Sequence, residues 1–376
     1  MNRYLKYIAL SILVIFTLSR FINIEADFPK RYTDGGFVLT DEGWYCNGAV
    51  SKILTGKWVG DGFQSMPIIP VNHIVQFAAM SIFGVSVAVS RSVIALFFVI
   101  FIISLYFICR KLYDERSALI AIVPIATSPI LFAYSRISLL EIEMLAFVSL
   151  SILFASYKKL MPSMMFMLIA LLTKPTAIFA IIPMVYFIWK NCGIKKAMVS
   201  QGIIIVTYGF YLMAIHDYFP EVFTGFFKAN VSGSIEFSPL KAIENLSMFD
   251  VVLIAILTMM IPNAVSGKKW LFPVLLFSFS IIMVAANGYQ PNRYFIIMTI
   301  PLCMIIAAGL HELKDTKKYV AFILAFSFII NGSIIFRMIN KQEYKLKNYC
   351  QNVDTKKIQI NMINTVTLFN GHLIRR

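Results

Sequence analysis

Charge is what this chain has little of. Only 14% of its 376 residues are Asp, Glu, Lys or Arg, against about 25% in an average soluble domain. Hydrophobic residues make up 59% and the mean hydropathy is +0.76, which excludes an ordinary soluble domain. Histidine is also scarce, at four residues. His73 and His216 have no ligand partners at useful spacing, so no metal ligand set is read from them. The five cysteines, Cys46, Cys109, Cys192, Cys303 and Cys350, show no metal spacing. Cys46 and Cys350 are candidates for pairing if both face an oxidising compartment; otherwise they are small buried hydrophobes. A nucleotide-binding signature and an internal repeat are absent as well.

Long apolar runs are what is there. Stretches of about 17–25 residues, enough to cross a bilayer, recur along almost the whole chain. The first covers 5–24 and reads as an uncleaved anchor. A polar stretch, 25–66, follows and holds Asp27, Asp34, Asp41, Glu42 and Asp61. Residues 67–85 look like an interfacial or tilted helix, and 87–108 are the next span. Pro124, Ser128, Pro129 and Arg136 divide 117–156 into two spans. Thr173, Lys174 and Pro175 divide 160–190, because a lysine at mid-membrane would cost several kcal/mol. Further spans are expected near 199–215, 250–264, 270–287, 294–310 and 319–336. The expectation is an all-α polytopic membrane protein of about eleven helices, with a transmembrane domain 1–336, an external loop 25–86 carrying interfacial helices, and a basic tail 337–376.

The net charge of +15 follows topology, not nucleic acid. With the N-terminus inside, roughly fifteen Lys/Arg and about four acids fall on the cytoplasmic side, as the positive-inside rule requires. The tail resists this pattern: it falls outside yet is basic. The same topology brings Asp41-Glu42, Arg136 with Glu141 and Glu143, Lys174, and Arg293-Tyr294 to one membrane boundary. A carboxylate there can take a proton from an acceptor hydroxyl, and Arg and Lys can stabilise charge on a departing phosphate. Such a set suits sugar transfer from a lipid phosphate. Each residue also has a plainer reading: Asp41 as loop charge or helix cap, Arg136 as a headgroup anchor or the ion-pair partner of Glu141, Lys174 as a snorkelling lysine.

Several motifs resemble one family. Ser135-Arg136-Ile137-Ser138-Leu139-Leu140-Glu141 is similar to the Ser-Arg-x-x-Leu-Leu-Asp segment of protein O-mannosyltransferases. Thr40-Asp41-Glu42-Gly43-Trp44-Tyr45 resembles the Asp-Glu motif of their first external loop and of the lipid A aminoarabinose transferases. Pro67 to Pro70, Phe83-Gly84, Ser90-Arg91, Leu172-Thr173-Lys174-Pro175, and Asn292-Arg293-Tyr294 with Pro301 follow in family order. These are GT-C type membrane glycosyltransferases, a group that includes lipopolysaccharide-core transferases, and the resemblance covers about residues 1–310. It implies Asp41 (with Glu42) as the catalytic carboxylate, Arg136, Lys174, Arg293 and Tyr294 at the donor phosphate, and Glu141 and Tyr45 in support. It further implies a polyprenyl-phosphate-linked sugar as donor, with a lipid, glycan or protein acceptor. No protein-bound metal is assigned, although a divalent cation is a possible cofactor. The setting implied is a bacterial inner membrane, with the site facing the periplasm. Three departures stand out: no second proline beside Pro67, Glu in place of Asp at 141, and no large soluble domain after the last span.

Two rivals use the same composition. A transporter or flippase of lipid-linked sugars would place its ionisable residues nearer the bilayer midplane. A polysaccharide polymerase or ligase would carry its large loop late in the chain. The triplets starting at Asn230 and Asn245 fit the glycosylation acceptor pattern, which also arises by chance.

Overall fold

A computed structural model describes residues 3–27, 38–58, 65–224, 250–267, 269–285, 292–313, 317–340 and 344–345. The described chain is helical apart from a two-residue antiparallel pairing, Ala26 with Lys345 and Asp27 with Tyr344. Fifteen α-helices lie among the described residues. α1 spans Arg3–Leu18, α2 Val38–Thr55, α3 Pro70–Phe83, α4 Val87–Leu112 and α5 Glu115–Thr127. α6 spans Pro129–Tyr134, α7 Leu140–Ser156, α8 Leu160–Thr173, α9 Ile181–Cys192 and α10 Ile194–Tyr218. α11 covers Val251–Ser266, α12 Leu271–Ala285, α13 Thr299–Glu312, α14 Lys317–Phe326 and α15 Gly332–Asn340.

Among the described residues, six segments are long and apolar enough to cross a membrane: Arg3–Phe21, Val87–Leu112, Pro175–Cys192, Ile194–Tyr218, Arg293–Glu312 and Lys317–Asn340. Three further apolar helices are shorter, Leu160–Thr173, Val251–Ser266 and Leu271–Val284. At 1.5 Å per residue, α4 reaches about 39 Å, enough to connect the two faces of a bilayer.

Local chemistry sets the breaks. Pro175 disfavours helical backbone at the residue before it, and Lys174 is extended at φ −154°, ψ 122°. Ser128 and Pro129 end α5 and start α6, with the Ser128 hydroxyl accepting from Leu131 N. The turn 135–139 then opens into α7. Asp114 caps α5, accepting from Ser117 N at 2.8 Å and from Ser117 Oγ at 2.7 Å, a standard way to satisfy free amides at a helix start. Gly193, at φ +94°, turns α9 into α10 where a side chain would be strained.

The helix ends sort into two groups at opposite ends of the same bundle. At one end Lys6 meets Glu115 (2.7 Å), His311 meets Asp114 (2.7 Å), and Lys269 donates to Leu112 O (2.6 Å). At the other end lie Arg91 in the first turns of α4, the end of α1, the start of α7, Lys174 and Arg293. This separation agrees with the one-sided boundary inferred from loop charge. Of the tail 337–376, only 337–340 and 344–345 are described, and the latter pair with the strand following α1.

One close approach fixes two spans. A Cβ on Gly309 of α13 would come 2.5 Å from the carbonyl oxygen of Met260 in α11, as small residues allow in membrane helix packing. Gly309→Ala is expected to destabilise by about 1–3 kcal/mol, read as a lower thermal midpoint in detergent. Gly209→Ala, with open space around its Cβ, should leave the midpoint unchanged.

Candidate active site

The first half of the site is built around Glu42 on α2. Arg91 grips its carboxylate with two bonds, Nε to Oε1 at 3.0 Å and Nη2 to Oε2 at 2.9 Å, while Nη1 donates to Ile24 O at 3.0 Å. The amide of Ser138, in the turn before α7, donates to Glu42 Oε1 at 2.6 Å. Both side chains are buried, at 2% and 3% exposure. One ion pair thus ties together α2, α4, the end of α1 and the start of α7. The cluster continues through Ser90, whose hydroxyl bonds Ser138 Oγ and lies 3.0 Å from Cys46 Sγ. Burial pushes the Cys46 thiol up to about 12, only partly offset by the Ser90 hydrogen bond, so it remains an SH group.

Asp41 immediately precedes Glu42. Its backbone lies inside α2, whereas its side chain is outside the described residues. Because α2 begins at Val38, the helix-cap reading of Asp41 is corrected: it sits one turn in. Glu42, expected beside Asp41 as a catalytic carboxylate, has both carboxylate oxygens engaged, by Arg91 and by the Ser138 amide. Tyr45, one helical turn from Asp41, is 8% exposed. Its ring stands against Trp44 and its carbonyl accepts from Asn72 Nδ2 at 2.8 Å.

Arg136 does not pair with Glu141 as the spacing allowed. It lies in the turn before α7, off the helix, so helical spacing does not govern it. Its Nη2 donates to Ile22 O and Asn23 O, both at 2.7 Å, and its guanidinium lies 5.3 Å from the Phe132 ring centre. Beside it, Arg20 donates to Ser135 Oγ (2.8 Å) and Ala126 O (2.9 Å) and covers the Phe98 ring. These arginines tie the end of α1 to the turn that precedes α7.

The second half gathers on Glu141. This residue sits in the first turn of α7, where unpaired amides and the helix dipole favour an anion. Lys174 Nζ lies 2.5 Å from its Oε1, and Arg293 Nε lies 3.7 Å from the same atom. Lys174 comes from the break at Pro175, and Arg293 from the 3-10 turn Asn292–Met298. The ring of Tyr294 stands 4.8 Å from Lys174 Nζ and 5.6 Å from Arg293 Cζ, within range of cation–π attraction. A pocket opens there, lined by Glu141, Lys174, Thr176 and Tyr294 on its polar side and by Met283, Val284 and Ile297 on its apolar side. Cations beside an apolar wall can hold the phosphate of an amphiphile.

The structure therefore brings Lys174, Arg293, Tyr294 and Glu141 together, and sets Glu42 and Arg136 in a neighbouring framework joined through the start of α7. Arg91 and Arg20 carry no role in the sequence reading. The signal was available: both arginines fall inside apolar runs, where an ionisable side chain faces the bundle interior and is paired. Among the described residues no group of three or more His, Cys, Asp or Glu can hold a metal ion.

α3 packs against this framework through His73. Its Nε2 is 2.9 Å from Ser65 Oγ, and its Nδ1 has no hydrogen-bond partner. A Cβ on Gly48 of α2 would meet Nδ1 at 2.9 Å, so the ring fills the space that glycine leaves. Burial lowers His73 from 6.5 to about 3. The unfolded chain therefore takes up a proton below 6.5 that the fold refuses until about 3, and stability falls as pH drops through that window. Protection factors of residues 65–83, corrected for the intrinsic exchange rate at each pH, should fall from pH 7 to pH 4.5 in wild type, and His73→Gln should flatten that dependence. An equal slope in the variant would refute the assignment.

Residues 67–216 match the family described as dolichyl-phosphate-mannose-protein mannosyltransferase. Among solved structures, ArnT from Cupriavidus metallidurans bound to undecaprenyl phosphate aligns with a TM-score of 0.64 and 11% identity, over 100% of this chain and 77% of that one. ArnT of the same organism in the apo state gives 0.64 and 12% identity, over 97% and 76%. No curated protein matches the sequence. The described residues thus form a multi-pass, almost entirely helical protein with the fold of ArnT, and residues 67–216 match the mannosyltransferase family that its motifs resemble.

Proposed function

We propose that this protein is a membrane glycosyltransferase that moves a sugar from a polyprenyl-phosphate carrier to an acceptor hydroxyl. The observation that carries this reading is the meeting of Lys174, Arg293 and Tyr294 around Glu141, at the mouth of a pocket with an apolar wall. Cations suit the donor phosphate, and Met283, Val284 and Ile297 suit the prenyl chain beside it. The family match and the undecaprenyl phosphate held by ArnT support the same donor class.

The reaction is an in-line displacement with inversion at the sugar's anomeric carbon. The acceptor oxygen attacks that carbon and its proton passes to Asp41. The bond from carbon to the phosphate oxygen breaks, and the electron pair stays on the phosphate. Lys174 and Arg293 stabilise the charge that develops there. Arg136, buried against the end of α1, supports the phosphate end of the site from the turn before α7. Glu42 and Arg91 are positioning residues that hold α2, and with it Asp41, against α4 and α7. The charge asymmetry of the loops favours a periplasmic site in a bacterial inner membrane.

Lys174→Met tests the donor contact. Loss of one hydrogen-bonded cation at a phosphate is expected to lower kcat/KM about 10²-fold or more, roughly the scale of removing one transition-state donor, with the protein still folded in detergent. Unchanged transfer by that variant would remove Lys174 from the site.

A further inference from the structure

Glu141 is an odd neighbour for a phosphate. It lines the pocket, takes Lys174 and Arg293 on its Oε1, and leaves Oε2, buried, with no hydrogen-bond partner. An anion site built for affinity alone would not hold a third, negative charge against its cations. Resting on the donor class proposed above, we propose that Glu141 sets the charge of this site so that it retains a phosphodiester donor and releases a phosphomonoester product.

The chemistry supplies the difference. The donor is a diester and carries one negative charge. After the sugar leaves, the phosphate keeps the bond electrons and becomes a monoester whose second ionisation lies near pH 6, so at pH 8 it carries about two charges. Attraction to a site scales linearly with ligand charge, while the cost of removing the ligand from water rises with its square. Among the described residues Lys174 and Arg293 bring two positive charges to Glu141, and the carboxylate offsets one of them. The carboxylate therefore repels the dianion twice as strongly as the monoanion. Removing the carboxylate strengthens attraction to the dianion by twice the free energy it adds for the monoanion. The fold-change for the monoester is therefore the square of that for the diester.

The test is equilibrium binding to the full-length protein in detergent at pH 8, with two probes: farnesyl phosphate as monoester and methyl farnesyl phosphate as diester. Glu141→Gln is expected to tighten the diester about tenfold and the monoester about a hundredfold, since Coulomb energy doubles with ligand charge. Glu141→Asp, which keeps the charge, should keep the wild-type ratio. Lys174→Gln should move both ligands the other way, again with the larger loss for the monoester, and it reads the same charge law if Glu141→Gln fails to fold. Under multiple turnover, Glu141→Gln should also show stronger inhibition by added farnesyl phosphate. Equal shifts for the two ligands, or weaker binding of both by Glu141→Gln, would overturn the proposal and leave Glu141 a purely structural partner. If wild type binds neither probe, the donor class itself falls; if it binds both and only the variant ratios disagree, the donor class stands.

Discussion

Asp41→Asn is expected to lower sugar transfer by about 10²–10⁴-fold, the usual worth of a positioned general base, with insertion, yield and thermal midpoint unchanged. The amide keeps the shape of the carboxylate and cannot accept the acceptor's proton. The effect should appear in kcat, because Asp41 is assigned to the acceptor and not to the phosphate. Prenyl phosphate binding by the variant should match wild type. The position supports this expectation: Asp41 sits one turn into α2, directly before Glu42, and α2 is locked by the buried ion pair to Arg91. A variant that turns over at the wild-type rate would show that the proton goes elsewhere.

The second large effect is at that lock. Arg91→Met leaves the Glu42 carboxylate buried without its cation, and breaking one side of such a pair costs about 3–5 kcal/mol. Arg91 also holds Ile24 O, so the end of α1 is released as well. Stability and transfer should both drop. In Arg91→Met with Glu42→Leu, no charge is stranded, and buried ion pairs replaced by apolar groups are often neutral for stability. The double variant should therefore recover most of the thermal midpoint while transfer stays low, because α2 is no longer held in the register that presents Asp41. Recovery of both together would mean that the pair serves stability alone. Failure to recover the midpoint would mean that Ser138 and Ile24 depend on the charges themselves.

Much of the architecture was legible in the sequence, for identifiable reasons. Pro175 forces the residue before it out of helix, and a lysine there cannot lie in mid-membrane, so the break at Lys174 follows from two local facts. The turn at 135–139 follows in the same way from Ser128, Pro129 and Arg136. Helix ends were less legible: α4 continues to Leu112, through Arg110 and Lys111, because basic side chains reach the interface without ending the helix. α2 was hidden in the polar stretch 25–66. Gly43 and Gly48 and a mix of polar residues read as loop, yet Gly48 is needed for the His73 ring to pack against the helix. Tertiary packing overrode propensity there.

The partners were harder to read than the residues. The motifs named Glu42, Glu141, Lys174, Arg136 and Arg293, but nothing local says that Glu42 belongs to Arg91 or Glu141 to Lys174. Those pairings join helices far apart in sequence. Only the packing of α4 against α7, and of α7 against α8 and the turn at 292–298, decides them. The pairing of Arg136 with Glu141 looked acceptable on spacing and failed because Arg136 precedes the helix.

The central claim is that Lys174 and Arg293 hold a lipid-linked sugar phosphate that loses its sugar. The direct measurement is to incubate the purified full-length protein with a panel of polyprenyl-phosphate sugars and an extract of acceptor lipids and glycans, and to follow free polyprenyl phosphate. The account predicts release with at least one sugar, coupled one-to-one to a new glycoside, strongly reduced by Lys174→Met and by Asp41→Asn. Movement of the lipid-linked sugar across a bilayer with no prenyl phosphate released and no glycoside formed would contradict it.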